Sequence, residues 1–355
     1  MMNALTSTAL VPPLHPLLRP PVPRAPRPAL FNRHAARAAP AADAPAAASF
    51  AGDVAAGLAQ RHKAIPCTWL YDHLGSVLFE RITQLDEYYL ARSEQWLLER
   101  VAAQIAAAAG RAATLVELGS GACRKTATLL NALDTPQAYV PIDLSAQFLA
   151  ESVQALHRRF PALPIAPLVA DFSTLSHLPA SLRSGAGGRV VVFFPGSTIG
   201  NFAPDQAQAL LARIGQAAGP GALLVIGADT TQDPSVLLPA YADRLGVTAA
   251  FNKNLLTRIN RELQGNFSPS AFDHQARWNA ALQRVEMHLV SVYSQRVHVL
   301  GRPYHFGMGE SIHTESAYKH SLAAFEALVT RAGWLPCQRW LDGQSRFAVH
   351  VLERL

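Results

Sequence analysis

Cysteine is scarce in this 355-residue chain: Cys67, Cys123 and Cys337 lie far apart, without the short spacing that metal sites use. That excludes a disulfide framework and a thiolate metal centre, and the three read as free thiols of a reducing cytoplasm. Charge is low as well, at 16% Asp, Glu, Lys and Arg, and no run of ~18 apolar residues offers a membrane span. The formal net charge of +6 looks like a nucleic-acid signal. Five arginines against one acid, Asp43, place +4 of it in residues 1–50. The rest lacks a dense basic run, so neither nucleic acid nor membrane is expected as a partner.

Ten of the 25 prolines also fall in residues 1–50, among many alanines and with no helical or strand period. Residues 1–49 therefore read as a disordered Ala/Pro/Arg-rich tail. It lacks the continuous apolar segment and cleavage site of a secretory signal, and its prolines would break the amphipathic helix of an organellar transit peptide. A solvated tail or an over-extended gene start remains.

What the chain does have begins at Thr114. An apolar run, Leu115-Val116-Glu117-Leu118, leads into Gly119-Ser120-Gly121, and a helical pattern follows through Ala127, Leu129 and Leu130. Strand, glycine turn and helix form the opening unit of a doubly wound α/β domain. A lone Gly-x-Gly is also compatible with an ordinary turn. A second strand, however, ends in the carboxylate of Asp143, placed to take ribose hydroxyls. A third ends in Asp171-Phe172, an acid and an aromatic suited to adenine. The third glycine of the dinucleotide fingerprint is replaced by Arg124, and Glu117 sits just before the turn. Both features fit an adenosine cofactor without phosphates, S-adenosylmethionine, better than NAD. Cys123, in the same turn, reads as packing.

Apolar strands at 115–118, 139–142, 168–170, 190–194 and 223–227 alternate with helical stretches at 146–160 and 204–218, which predicts a mostly parallel sheet. Residues 50–106 read as mainly helical. After Asp229 the pattern changes to helices at 235–245 and 247–262, then to alternating segments at 285–293 and 294–300, read as an antiparallel pair. A helix at 321–332 and strands at 337–341 and 346–352 return to the first domain. The expected division is a cofactor domain of residues 93–231 and 320–355, and a smaller α+β substrate domain of residues 50–92 and 232–319.

A polar glycine-containing loop, Gly196-Ser197-Thr198-Ile199-Gly200-Asn201, follows the fourth strand, where α/β folds bind ligands. The Asn201 amide suits a zwitterion, and equally caps a turn. Tyr88 and Tyr89 precede a helix, a placement more usual for packing than for chemistry. Tyr241 falls in a helix of the insertion, and Glu315 in a polar cluster at its end.

With these motifs in place, the chain resembles the histidine-specific Nα-methyltransferases of ergothioneine biosynthesis, from Thr68 to Leu355. The resemblance rests on Trp69-Leu70-Tyr71-Asp72, Asp86-Glu87-Tyr88-Tyr89, Glu117-Leu118-Gly119-Ser120-Gly121, the Gly196–Asn201 loop, Val247-Thr248-Ala249-Ala250-Phe251-Asn252, Asn260-Arg261-Glu262-Leu263 and Thr314-Glu315. It implies a Rossmann-like S-adenosylmethionine-dependent methyltransferase, acting as a monomer and without a metal, that trimethylates the α-amino group of L-histidine to hercynine. The implied cofactor contacts are Gly119, Lys125, Asp143, Asp171 and Phe172. The implied substrate contacts are Tyr88, Gly196, Asn201, Tyr241 and Met287, with Glu315 facing the imidazole and Tyr71 close to the reacting amine. Mycobacterial members carry Val-Ser after the glutamate, and that serine helps to hold the imidazole. Here Ser316-Ala317 stand instead, so the hydroxyl is displaced and selectivity for histidine is in question. Leu90 replaces a proline after the tyrosine pair. A silent S-adenosylmethionine-binding protein, an NAD-dependent oxidoreductase and a methyltransferase for another amino acid are the competing readings.

Overall fold

The computed structural model describes residues 49–174 and 188–355; the tail read from residues 1–49 lies almost wholly outside them. Three helices, α1 (Phe50–Ala59), α2 (His73–Ile82) and α3 (Tyr89–Ala109), precede the first strand. The sheet then builds from β1 (Thr114–Leu118), β2 (Ala138–Asp143), β3 (Leu168–Val169), β4 (Val190–Phe194) and β5 (Leu223–Asp229). Helices α4 (Arg124–Ala132), α5 (Ala146–Arg159) and α6 (Pro204–Ala218) connect them.

The chain leaves this sheet after β5 for α7 (Pro234–Tyr241), α8 (Val247–Leu263), β6 (Phe272–Asn279), β7 (Arg284–Ser291), β8 (Gln295–Val299), β9 (Arg302–Phe306) and β10 (Ser311–Tyr318). It returns through α9 (Leu322–Arg331), β11 (Trp334–Leu341) and β12 (Phe347–Arg354). The large sheet has seven strands in the order β11-β12-β5-β4-β1-β2-β3, with β12 antiparallel to both neighbours and the rest of the sheet parallel.

Side chains alternate across a strand, and both faces of the inner strands β1, β4 and β5 are covered, so these read as mainly apolar runs. Leu115, Val191, Phe193 and Val225 join one core with Leu98 and Ile105 of α3. Their neighbours Val116, Val192, Phe194 and Ile226 join a second with Leu211 of α6 and Phe325 of α9. Every residue of β1 and β5 is buried.

The insertion departs from expectation. Residues 285–293 and 294–300 do not pair with each other: β7 lies between β6 and β10 in a three-stranded antiparallel sheet, whereas β8 pairs with β9. Residues 48–355 pack as one unit, and the boundary expected at residues 92 and 93 falls inside α3. Among the described residues no helix is long and apolar enough to cross a membrane.

Candidate functional site

The strand order reverses between β1 and β4, and ligands of open α/β sheets bind beyond the carboxyl ends at such a point. Both strands end there in a glycine turn. Gly119 (φ 69°) and Gly121 (φ 51°) take positive φ, which glycine adopts without steric cost. Gly119 N and Ser120 N donate to the Ile142 carbonyl at 2.9 and 3.2 Å, and Gly121 N donates to Asp143 Oδ2 at 3.0 Å. The first turn is therefore stitched to the end of β2. Asp143 Oδ1 also accepts from Ser145 N, and Asp171 Oδ1 from Ser173 N at 2.8 Å, so both carboxylates are fixed in direction.

A cavity of about 590 Å³ opens over these turns. Gly119, Lys125, Asp143, Asp171 and Phe172, the five residues the resemblance assigns to the cofactor, all line it, as do Tyr71, Tyr88, Gly196 and Asn201. Phe172 stands edge-on to Phe194 and Phe202, with ring centroids at 5.3 and 6.2 Å, and a Cβ at Gly119 would lie 3.6 Å from its ring. Ser120 Oγ is buried without a partner. Glu117 is buried, accepts from Thr126 Oγ1 at 2.5 Å and from Tyr139 Oη, and its carboxyl is pushed up to about 8, chiefly by burial. Arg124 begins α4 and turns outward to pair with Glu80 across the cleft at 2.6 Å.

A second cavity of about 610 Å³ shares Cys67, Thr68, Asn201 and Phe202 with the first and carries Glu315 and Ser316 on its wall. Glu315 is set by a β-bulge, where the register of β10 on β7 shifts between His313 and Glu315 and brings Met287 opposite the glutamate. Bulges re-aim side chains. Glu315 Oε2 has no hydrogen-bond partner, and burial, partly offset by the charge of Lys319, pushes its carboxyl up to about 7. Ser316 lines the same cavity as Glu315, its hydroxyl at 3.1 Å from His313 Nε2, whereas Ala317, where the resemblance puts the missing hydroxyl, is buried.

Tyr71 packs edge-on against Phe79 and Phe251 at 5.5 and 5.4 Å, and Tyr88 against Tyr241 at 6.3 Å. Burial first, then nearby groups including Glu315, hold the hydroxyls of Tyr71 and Tyr241 well above the usual tyrosine range. In Tyr88 burial, then Tyr241, does the same. These shifts favour the neutral form of all three and disfavour a phenolate base. Tyr241, Met287 and Ala317 line neither cavity, and Tyr241 stands edge-on to Tyr88, which lines the first.

Several sequence motifs turn out to support Tyr71. Asp72 caps α2 through Gly75 N at 2.8 Å and accepts from Asn254 and Arg261 at 2.7 and 2.8 Å. Arg258 Nη1 donates to the Trp69 carbonyl, so α8 holds the backbone on both sides of the tyrosine. Asn201 closes the 3₁₀ turn Thr198–Asn201. That turn is pressed onto β10 so closely that a Cβ at Gly200 would lie 2.7 Å from the Tyr318 carbonyl oxygen. Gly200→Ala is expected to cost about 2 kcal/mol, read as a lower urea midpoint, and to reduce turnover by displacing Asn201.

Glu94, Asp229 and Lys319 escaped the sequence reading of the site. Glu94 in α3 accepts from Gly196 N at 2.8 Å and from Lys125 Nζ, so Lys125 faces a carboxylate of the protein as well as the cavity. Asp229 accepts from Tyr89 Oη at 2.7 Å and from Lys319 Nζ at 2.6 Å, and Lys319 Nζ donates to Tyr241 Oη at 2.9 Å. Asp229 carried a signal, since it ends an apolar strand as Asp143 does.

Sheet order, glycine turn and strand-end carboxylates together define an S-adenosylmethionine-dependent methyltransferase. The residues fit that cofactor: positive-φ glycines, an orphaned Ser120 hydroxyl, two fixed carboxylates and an aromatic edge surround a space large enough for it. Comparison with known proteins narrows the class. Residues 50–354 match the family model described as "Histidine-specific methyltransferase, SAM-dependent", and the chain belongs to that family. It is 40% identical over 304 residues to a histidine N-alpha-methyltransferase of Mycobacterium tuberculosis, covering 84% of this chain and 93% of the relative. To the protein of the same name in Mycolicibacterium smegmatis it is 38% identical over 315 residues, covering 87% and 96%. It also matches ergothioneine biosynthesis protein 1 of Neurospora crassa at 27% identity over 295 residues, covering 82% of this chain and 33% of that one.

Proposed function

We propose that this protein transfers methyl groups to the α-amino nitrogen of L-histidine, three in succession, yielding hercynine for ergothioneine biosynthesis, and that it works as a cytoplasmic monomer. Residues 93–231 and 320–355 form the cofactor side, and residues 50–92 and 232–319 the substrate side. The observation that carries the substrate assignment is the buried, unpartnered Glu315 Oε2 in a neighbourhood of neutral tyrosines. A lone buried acceptor of this kind costs free energy until a donor arrives, and an imidazole N–H is such a donor.

Bound at the glycine turns, S-adenosylmethionine supplies an electrophilic methyl group on a sulfonium. Gly119 and Gly121 would let the backbone approach it, Asp143 would accept from ribose hydroxyls, and Asp171 with Phe172 would take adenine. Asn201 and Tyr241 hold the α-carboxylate of the amino acid, and Glu315 fixes the imidazole, so the α-nitrogen has one orientation in the cleft. Tyr71 and Tyr88 are neutral and can pass on an ammonium proton only by giving up their own. A positive charge close by lowers the amine's pKa, so a strong base is not required. As the head group becomes quaternary, tyrosine faces accommodate its charge.

Incubation with S-adenosylmethionine and each of the twenty amino acids, followed by mass spectrometry, tests the reading. A gain of three methyl groups on histidine alone is expected. Turnover of a different amino acid would move the specificity, as the loss of a hydroxyl at Ala317 permits, and cofactor binding without any turnover would reject the enzyme.

A further inference from the structure

We infer that Lys319 is a positioning residue for the amino-acid substrate, presenting Tyr241 as a hydrogen-bond donor to the α-carboxylate. Lys319 follows β10 and is 2% exposed; Asp229, at the end of β5, is 1% exposed. The Lys319 main chain is tied down independently, its N–H donating to the Gln283 carbonyl at 2.8 Å and its carbonyl accepting from Gln232 Nε2 at 3.3 Å. The side chain is therefore not needed to anchor the strand end.

Asp229 is already well supplied with donors: Thr231 N reaches Oδ1 at 3.0 Å, and Tyr89 Oη reaches Oδ2 at 2.7 Å. A structural ion pair would end there. Lys319 instead goes on to donate to Tyr241 Oη at 2.9 Å. A hydroxyl that accepts from an ammonium must direct its own proton elsewhere, and among the described residues that proton has no acceptor. An ammonium has three N–H donors, of which Lys319 uses two, on Asp229 and Tyr241. The third ammonium N–H and the Tyr241 hydroxyl proton thus stand unspent beside Tyr88, close enough for the Lys319 charge to act on Tyr88 and on Glu315. An anionic acceptor completes the arrangement, and the carboxylate common to amino acids has that chemistry, whereas an amine without it does not.

The inference rests on the amino-acid reading given above, and the test separates the two. Binding of histidine and of its decarboxylated amine, histamine, is measured by calorimetry with S-adenosylhomocysteine present. The variants are Lys319→Met, Lys319→Met with Asp229→Asn, Tyr241→Phe, and Tyr241→Phe with Lys319→Met. The Asp229→Asn pairing removes both buried charges together, because a carboxylate left alone could prevent folding. Expected is a loss of about 30-fold in histidine affinity on removal of Lys319, with histamine and S-adenosylhomocysteine affinities within about threefold. In the Tyr241→Phe background Lys319→Met should add less than about threefold. Equal losses for histidine and histamine, or a full Lys319 effect without the Tyr241 hydroxyl, would overturn the inference. If another amino acid proves to be the acceptor, the histidine reading fails, and the role of Lys319 is decided by the same comparison between that acid and its own decarboxylated amine.

Discussion

Glu315→Gln lowers kcat/KM for histidine by about 100-fold while leaving S-adenosylhomocysteine affinity within about twofold. The expectation follows from where the side chain stands. The glutamate lies on the second cavity, whose walls do not include the glycine turns, so a cofactor held at those turns should not sense its charge. The β-bulge at His313 and Glu315, with Met287 opposite, sets the face of β10 from which the carboxylate projects. Its unpartnered Oε2 means that the bond to substrate replaces no bond within the protein. Glutamine keeps shape and one acceptor but loses the charge, and a charged acceptor contributes roughly twice what a neutral one does.

Acidity gives the same residue a second readout. Burial raises its carboxyl from 4.5 to about 7, so in the free protein it is mostly protonated below neutrality and is a poorer acceptor. The ratio of wild-type to Glu315→Gln activity should therefore rise with pH and level off above about 7. The stability sign is the opposite. The folded state holds a proton that the unfolded chain releases, so the contribution is full below about 4.5 and is lost as pH rises through about 7. Glu117, raised to about 8, pushes the same way. A pH-independent activity ratio between the two proteins would remove Glu315 from substrate recognition.

The centre of the sheet was legible because β1, β4 and β5 are buried on both faces and read as short apolar runs ending in glycines or acids. The same signal marked Gly119, Asp143 and Asp171, each of which ends or follows a strand, and the structure gathers them on one cavity. Pairing inside the insertion was not legible. Alternation marks a strand without naming its partner, and β7 finds β6 before it and β10 after it, with a separate hairpin, β8 and β9, between β7 and β10. Glu94 was hidden for a different reason. It lies in the long helix α3, where a glutamate ordinarily marks the solvated face, and only the packing of α3 against the sheet turns it inward. Lys319 was hidden likewise, because a lysine after a strand usually reaches water.

Glu94→Ala is expected to be the most damaging single change in the cofactor half, costing about 3 kcal/mol of stability and weakening S-adenosylhomocysteine binding at least about tenfold. Glu94 is 0% exposed. Its Oε2 accepts from Gly196 N, in the turn after β4, and from Lys125 Nζ, in the helix that follows the turn after β1. One carboxylate thus ties together the two turns proposed to hold the cofactor. Its Oε1 presses against β5, where a Cβ at Gly227 would come within 2.1 Å of it. That glycine is needed to admit the acid. Alanine would leave the Lys125 ammonium without a counter-ion and the Gly196 N–H without an acceptor, and would open a void against Gly227. Glu94→Gln separates these effects, since it can still accept from Gly196 while losing the charge that faces Lys125. It should fall between wild type and alanine in urea midpoint and lie closer to alanine in ligand affinity, which depends on where Lys125 points. A midpoint and an affinity both unchanged in Glu94→Ala would mean that each turn holds its shape alone and that the carboxylate merely fills space.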